Sequence, residues 1–83
     1  MAGDRKIMET EYKIVLSWDG EAGVWIATSE DIYGLILEHE SFDVLVDRVR
    51  YAVPELLAFE KKCNNDISLE FLVSRKEKLI VNG

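Results

Sequence analysis

One segment with helical periodicity, set between segments with strand periodicity, is the feature that most limits how this chain can fold. Apolar residues recur at spacings of three and four over residues 42–62, which predicts an amphipathic helix. Ser41 is a suitable N-cap, and Asp43 lies where the helix dipole favours an anion. Pro54 removes one backbone hydrogen bond, and we expect a kink there, unless the helix ends and restarts. The residues expected to be buried against a sheet are Leu45, Val49, Val53 and Leu56.

Alternation of apolar and polar residues predicts four strands around this helix. The strands are residues 12–18, 24–29, 35–39 and 67–73. Residues 19–23 contain two glycines and have the composition of a hairpin turn, and Gly34 can adopt a positive φ before the third strand. Residues 79–81 form either a short fifth strand or a tail. We expect residues 1–11 to be a disordered leader and residues 12–83 to be a single domain.

The order β-β-β-α-β predicts an α+β fold. Two short turns make the first three strands an antiparallel meander, and the helical crossover makes the fourth strand parallel to the first. A fourth strand beside the first gives the spatial order 3-2-1-4, a partial RNase H-like sheet with the helix on one face. The other face is left partly bare, and both edges of the sheet are open. We therefore expect a homo-oligomer formed through an exposed strand, either the fourth strand or residues 79–81.

The distribution of charge favours a protein partner over a nucleic acid. The net charge is −6, and residues 19–47 contain eight acidic residues with no lysine or arginine. Such a surface repels phosphate groups and suits a small basic protein. The alternative is a solvated acidic surface that only keeps the protein soluble. The residues expected to contact a partner, with Trp25 and Tyr33 as exposed apolar anchors, are Trp25, Glu30, Asp31, Tyr33, Gly34, Glu38 and Glu40.

The residue types that carry chemistry do not form a recognisable catalytic set. Cys63 and His39 lie on different elements, and nothing else supports a thiol–imidazole pair. Glu38, His39 and Glu40 alternate between the two faces of a strand, so they cannot bind one metal ion together. The predicted first strand has no acid for a two-metal nuclease, and we interpret Glu70 as a solvent-facing strand residue. We expect no enzymatic activity, no metal and no cofactor.

Cysteine usage and hydropathy indicate a cytoplasmic protein without a membrane segment. The single cysteine, Cys63, cannot form an internal disulfide, and the sequence contains no apolar leader and no long apolar run.

Three motifs within residues 17–57 are similar to the HicB-like antitoxin domain, especially to its small stand-alone relatives of unknown function. They are W-D-x-E-A-G-V-W-x-A-x-S at residues 18–29, D-x-x-G-L at residues 31–35 and A-V-P-E-L-L at residues 52–57. The resemblance implies a partial RNase H-like fold without nuclease activity. It also implies a partner, a small basic toxin whose catalytic histidine the antitoxin covers. Tyr33 replaces the proline that is usual in the family before the loop glycine.

The resemblance does not extend to DNA binding. The larger HicB antitoxins carry a C-terminal operator-binding module, and this chain is expected to lack one, because it stops shortly after the fourth predicted strand. The sequence therefore predicts an antitoxin-like, non-catalytic regulatory domain that binds a small basic protein. The alternatives are an orphan homodimeric interaction domain and, in third place, a small enzyme.

Overall fold

The longest strand of the protein lies inside a four-stranded mixed sheet. The computed structural model describes residues 10–60 and 66–82, with elements β1 (Thr10–Asp19), β2 (Val24–Thr28), β3 (Ile36–His39), α1 (Phe42–Phe59) and β4 (Ile67–Ser74). The strand order is β3-β2-β1-β4. β1 is antiparallel to β2 and parallel to β4, and β2 is antiparallel to β3. The predicted α+β class, strand order and single helix are confirmed.

β1 begins earlier than the alternation indicated. Thr10 pairs with Ile67 of β4, and Glu11 pairs with Ser68. The prediction of a leader through residue 11 is therefore wrong at its last two residues, because pairing with a parallel neighbour extends a strand beyond its apolar alternation. Residues 1–9 lie outside the described part of the chain.

The turn between β1 and β2 is held by the last residue of β1. Asp19 Oδ1 accepts hydrogen bonds from the N–H groups of Glu21 (3.0 Å) and Ala22 (3.2 Å). Gly23 has a φ of 73° and donates its N–H to the Asp19 carbonyl at 2.8 Å. This positive φ explains the second glycine of the turn. The hairpin predicted from the composition of residues 19–23 is confirmed.

α1 covers one face of the sheet with a row of apolar side chains at four-residue spacing. Leu45, Val49, Val53 and Leu57 are fully buried. They form one core with residues of the sheet and of the β2–β3 loop, namely Tyr12, Ile14, Leu16, Ala27, Ile32 and Leu35. Leu56, which was expected at the last buried position, is half-buried instead. A four-residue row winds around the helix, so that Leu57 meets the core at its end.

The limits of α1 follow from its capping. The Ser41 hydroxyl accepts a hydrogen bond from the Val44 N–H at 3.3 Å, which confirms the predicted N-cap. The helix continues through Pro54 as one element and ends at Phe59, before the predicted residue 62. The Glu60 N–H bonds the Leu56 carbonyl at 3.2 Å. Residues 61–65, with Cys63 among them, lie outside the described part of the chain.

The segment after β4 is a tail and not a fifth strand of its own sheet. Residues 75–82 form neither helix nor strand. Within the tail, Leu79, Ile80 and Val81 are 79%, 84% and 85% exposed. In residues 10–60 and 66–82, no helix has the combination of length and apolar character that crossing a bilayer requires.

Replacing Leu45 with alanine should destabilise the protein strongly. Leu45 is fully buried between α1 and the sheet, and a cavity left at such a position lowers the free energy of unfolding by about 2–5 kcal/mol. Tyr51 on the same helix is 73% exposed, so Tyr51→Ala should change stability by only about 0.5 kcal/mol. Urea denaturation followed by circular dichroism measures both. Equal decreases in the free energy of unfolding of the two variants would show that α1 packs through another face.

Candidate functional site

The face of the sheet that points away from α1 is its most accessible surface. Along β1, Ile14 and Leu16 are buried in the core, whereas Lys13 and Val15, which alternate with them, are exposed. The same alternation and the strand registers assign a set of side chains to this second face. We call it the open face, and its members are Lys13, Val15, Ser17, Ile26, Thr28, Ile36, Glu38, Glu70 and Leu72.

A row of mostly apolar side chains crosses the open face through all four strands. Leu72 pairs with Val15, Val15 with Thr28, and Thr28 with Ile36. Leu72 is 42% exposed, Val15 36% and Ile36 70%. Contiguous apolar side chains on a polar surface are typical of protein-binding sites. We therefore treat this apolar row as the centre of the candidate site.

Two shallow hollows lie along the apolar row. The first has a volume of about 460 Å³ and is lined by Lys13, Val15, Thr28, Glu30, Asp31 and Leu72. The second, of about 320 Å³, lies at the β3 edge and is lined by Ile26, Ile36, Leu37 and Glu38. Both are open depressions rather than enclosed cavities, so they suit side chains of a protein partner better than an engulfed small molecule.

Acidic residues surround the apolar row. Glu30 and Asp31 border the first hollow, and Glu38 borders the second. On β4, Glu70 is half-buried beside Lys13, its neighbour on β1, and is less solvent-facing than predicted. Lys13 is the one basic member of the open face, so the surface as a whole is acidic.

Asp31 has a structural role that its sequence position did not reveal. Its Oδ2 accepts a hydrogen bond from the Lys13 N–H at 2.8 Å, and Ser29 Oγ donates to the Lys13 carbonyl at 2.7 Å. The Asp31 N–H in turn donates to Ser29 Oγ at 3.0 Å. These two side chains bond the Lys13 backbone just beyond the last β1–β2 pair, Val15 and Thr28. The Asp31 carboxylate is thus already engaged within the chain.

Trp25 does not lie on the accessible surface that was expected of it. Its ring packs against the core, with its centroid 4.9 Å from that of Phe42 and 5.4 Å from that of Trp18. The Arg75 guanidinium lies 4.6 Å from the Trp18 centroid and 5.8 Å from that of Trp25. The expectation that Trp25 is an exposed anchor is wrong. Period-two alternation separates Trp25 from Val24 and Ile26 but does not say which face the helix covers.

The other predicted contact residues are accessible but do not form one cluster. Tyr33 is 85% exposed in the β2–β3 loop. Gly34 follows it with a φ of 86°, which confirms the predicted positive φ and disfavours any side chain there. Glu30 and Glu38 are exposed and border different hollows. Glu40 is also exposed, just past the end of β3.

The described residues bring together no recognisable catalytic or metal-binding group. Within residues 10–60 and 66–82, no three His, Cys, Asp or Glu side chains are close enough to hold a metal ion. His39 is half-buried, and its Nδ1 accepts a hydrogen bond from the Ser41 N–H at 2.8 Å. Cys63 lies outside the described residues. The longer β1 includes Glu11 and Asp19, the latter of which caps the adjacent turn.

Sequence reasoning missed the apolar centre of the site. The sequence assigns Val15, Leu72 and Ile36 to three different strands. No single segment of the sequence shows that these residues lie in one row. The available signal was the combination of strand order and period two, because in the order β3-β2-β1-β4 the residues alternating with the buried ones must share a face.

Removing the Asp31 carboxylate should destabilise the protein modestly. Asp31→Ala leaves the Lys13 N–H without its acceptor, and a hydrogen bond to a charged group contributes about 1.5–3 kcal/mol, with less expected at this exposed site. Asp31→Asn keeps an acceptor oxygen and should lose less. Glu30→Ala, next to it, should be nearly neutral. Urea denaturation that finds Asp31→Ala and Glu30→Ala equally stable would contradict this structural role.

Comparisons with known proteins agree with the fold and name no activity. The sequence matches the family described as "Domain of unknown function (DUF1902)" over residues 11–82. It is also similar to a solved structure, hypothetical protein TTHA1013 from the extremely thermophilic bacterium Thermus thermophilus. That likeness has a TM-score of 0.65 and 32% sequence identity, and it covers 86% of this chain and 99% of that one.

No curated protein matches the sequence. Neither matching description mentions an antitoxin, so the HicB-like resemblance stays a prediction. The family match extends over most of the chain, from the second residue of β1 to the end of the tail. The protein is therefore a member of the DUF1902 family, a domain of unknown function.

Proposed function

We propose that this protein is a non-catalytic, antitoxin-like binding domain whose open face holds a small basic protein. The observation that carries the proposal is the composition of that face. An exposed apolar row crosses four strands, and acidic side chains surround it with a single lysine. The proposal places the protein in the cytoplasm, where its one cysteine, Cys63, would stay reduced.

Charge would guide a basic partner to this face. Glu30 and Glu38 are exposed beside the two hollows, and both belong to a segment, residues 19–47, that has eight acids and no lysine or arginine. A field of one sign raises the rate of association with an oppositely charged partner, and salt weakens it over a Debye length of about 10 Å at 0.1 M. Individual exposed ion pairs add only about 0.2–1 kcal/mol to stability or affinity.

Affinity would come from the apolar row. Leu72, Val15 and Ile36 each have a third or more of their surface accessible, and removing apolar surface from water contributes about 25 cal/mol per Å². Anchors at the centre of an interface, surrounded by polar residues, carry most of the binding energy. Tyr33 would add a rim contact from the β2–β3 loop, whereas Trp25 is half-buried against the core.

The HicB-like resemblance supports the same kind of partner. It rests on motifs in residues 18–29, 31–35 and 52–57, and it implies a small basic toxin as ligand. The accessible acidic residues Glu30, Glu38 and Glu40 agree with that charge. A non-catalytic role is proposed because the resemblance implies no nuclease activity, and no described cluster of His, Cys, Asp or Glu side chains could hold a metal ion.

A second candidate function, self-association, is favoured by one separate observation. Leu79, Ile80 and Val81 are consecutive, large and at least 79% exposed. Three such side chains in water are an unfavourable arrangement unless something covers them. If the protein forms a homodimer whose interface includes this segment, it would act as an interaction domain whether or not a toxin-like partner exists.

The binding proposal is tested by co-expression with the reading frames that flank the gene. We expect a small basic protein to co-purify with the tagged wild type. Glu30→Lys should slow its association about tenfold at low salt, with the difference shrinking as salt increases. Leu72→Ala should chiefly speed dissociation, because it removes an apolar anchor.

Glu55→Lys is the matched control, since it makes the same charge change at an exposed position on α1. Binding kinetics that are equal for Glu30→Lys and Glu55→Lys at low salt would contradict docking on the open face. If no basic protein co-purifies, the antitoxin-like proposal fails.

A further inference from the structure

The C-terminal segment, residues 75–82, has the properties of an arm that binds another chain. We call it the arm. It forms neither helix nor strand, and its Leu79, Ile80 and Val81 are 79–85% exposed. Leucine followed by two β-branched residues is typical of a strand that packs on both sides, which the arm does not do within its own chain.

The first residues of the arm are fixed to the sheet. The Arg75 guanidinium stacks 4.6 Å from the Trp18 ring centroid, and Arg75 Nε lies 3.0 Å from Glu77 Oε2. The cation–π contact holds the base of the arm against β1, and the ion pair joins two residues within the arm. Lys76 and Lys78, by contrast, form no ion pair with any described residue. The arm therefore presents two free positive charges followed by three apolar side chains.

The edge strand β3 offers the complementary surface. Among the described strands it pairs with β2 alone, so the backbone groups on its outer side are available for another strand. Ile36 is 70% exposed, and Glu38 is exposed two residues later. A hollow of about 320 Å³ opens beside them. Just past the strand, Glu40 is exposed as well.

We propose that the arm of one copy of this protein adds to β3 of a second copy as an antiparallel fifth strand. Strand addition of this kind derives affinity from backbone hydrogen bonds and specificity from alternate side chains. The register that we infer places Lys78 of the arm opposite Glu38 of the second copy. This inference does not depend on a basic protein partner.

The inferred register pairs opposite charges. When Lys78 lies opposite Glu38 in an antiparallel pair, Lys76 lies opposite Glu40, because a step of two residues back along the arm corresponds to a step of two residues forward along the other strand. Both pairs lie on the open-face side of the sheet, where Glu38 is exposed. Each lysine thus meets the free carboxylate that the other copy presents.

The same register pairs apolar residues. Ile80 comes opposite Ile36, next to the hollow at the β3 edge, and Leu79 comes opposite Leu37 on the helix side of the sheet. Leu37 is half-buried and packs against the core, so Leu79 would extend that core outward. Directly opposed apolar side chains stabilise antiparallel pairs.

Other registers lose this match. A shift by one residue turns every arm side chain to the opposite face. If the register shifts by two residues, Ile80 comes to lie opposite Glu38, or Lys78 opposite Ile36, depending on the direction of the shift. A parallel arm with Lys78 at Glu38 places Ile80 opposite Glu40. Only the proposed antiparallel register satisfies charge and apolar pairing together.

The arm cannot reach β3 of its own chain in this register. Adjacent strands are about 4.8 Å apart, so a position beyond β3 is four spacings, or about 19 Å, from β4. Lys76 follows the last residue of β4, Ser74, by two positions, and two residues span at most about 7 Å. The occupant of the β3 edge is therefore the arm of another copy, and a reciprocal exchange gives a two-fold dimer.

Sedimentation equilibrium of the full chain at tens of micromolar and low salt tests the proposal. We expect the wild type to dimerise. Lys78→Glu should weaken the dimer about tenfold, because an attractive cross-strand pair becomes repulsive. Glu38→Lys should weaken it similarly. The charge-swapped double variant, Lys78→Glu with Glu38→Lys, should restore the dissociation constant to within about threefold of the wild type.

Glu55→Lys is the control for the net-charge change of Glu38→Lys and should leave the dimer unchanged. Lys78 lies in the exposed arm, so a loss of folding is not expected, and circular dichroism checks that each variant stays folded. A monomeric wild type would overturn the proposal. So would a dimer that Lys78→Glu leaves unchanged, or one whose weakening the charge swap does not repair. No basic partner is present in these measurements, so their failure is separate from that of the open-face proposal.

Discussion

Packing of a single helix against one face of the sheet is the contact on which the rest of the described structure depends. Leu45, Val49, Val53 and Leu57 fill one face of the sheet together with Ile14 and Leu16. Within residues 10–60 and 66–82, one helix covers one face, so the second face keeps accessible apolar side chains and each edge strand has a neighbour on one side only. The surfaces proposed for binding thus follow from this one-sided cover of the sheet by the described helix.

Much of this arrangement could be predicted from the sequence, because it is carried by local signals. The alternation of residues 12–18 and 67–73, the glycines of the first turn and the Ser41 cap indicated elements that the structure confirms. Strand order followed from short turns and the helical crossover. The face of the sheet that the helix covers could not be predicted from such local signals. Trp25 was therefore assigned to the wrong surface, and its packing against Phe42 and Trp18 depends on a tertiary contact.

The candidate site was predicted in charge but not in detail. Residues 19–47 were correctly identified as acidic, but acidity in the sequence does not separate a structural carboxylate from a free one. Asp31 bonds the Lys13 backbone, whereas Glu30, one residue earlier, is exposed beside the same hollow. The apolar partners of these charges, Val15 and Leu72, come from strands far apart in sequence, and only the parallel β1–β4 register places them together.

The claim that one sheet face is covered and the other is accessible can be measured directly by methyl NMR with a neutral paramagnetic gadolinium chelate. Signals of Val15 and Leu72 should broaden strongly, because both side chains are more than a third accessible. Signals of Ile14, Leu16 and Val49, which are fully buried, should remain sharp. If Val15 and Leu72 are protected as well as these core residues, the open face does not exist in solution and the account is contradicted.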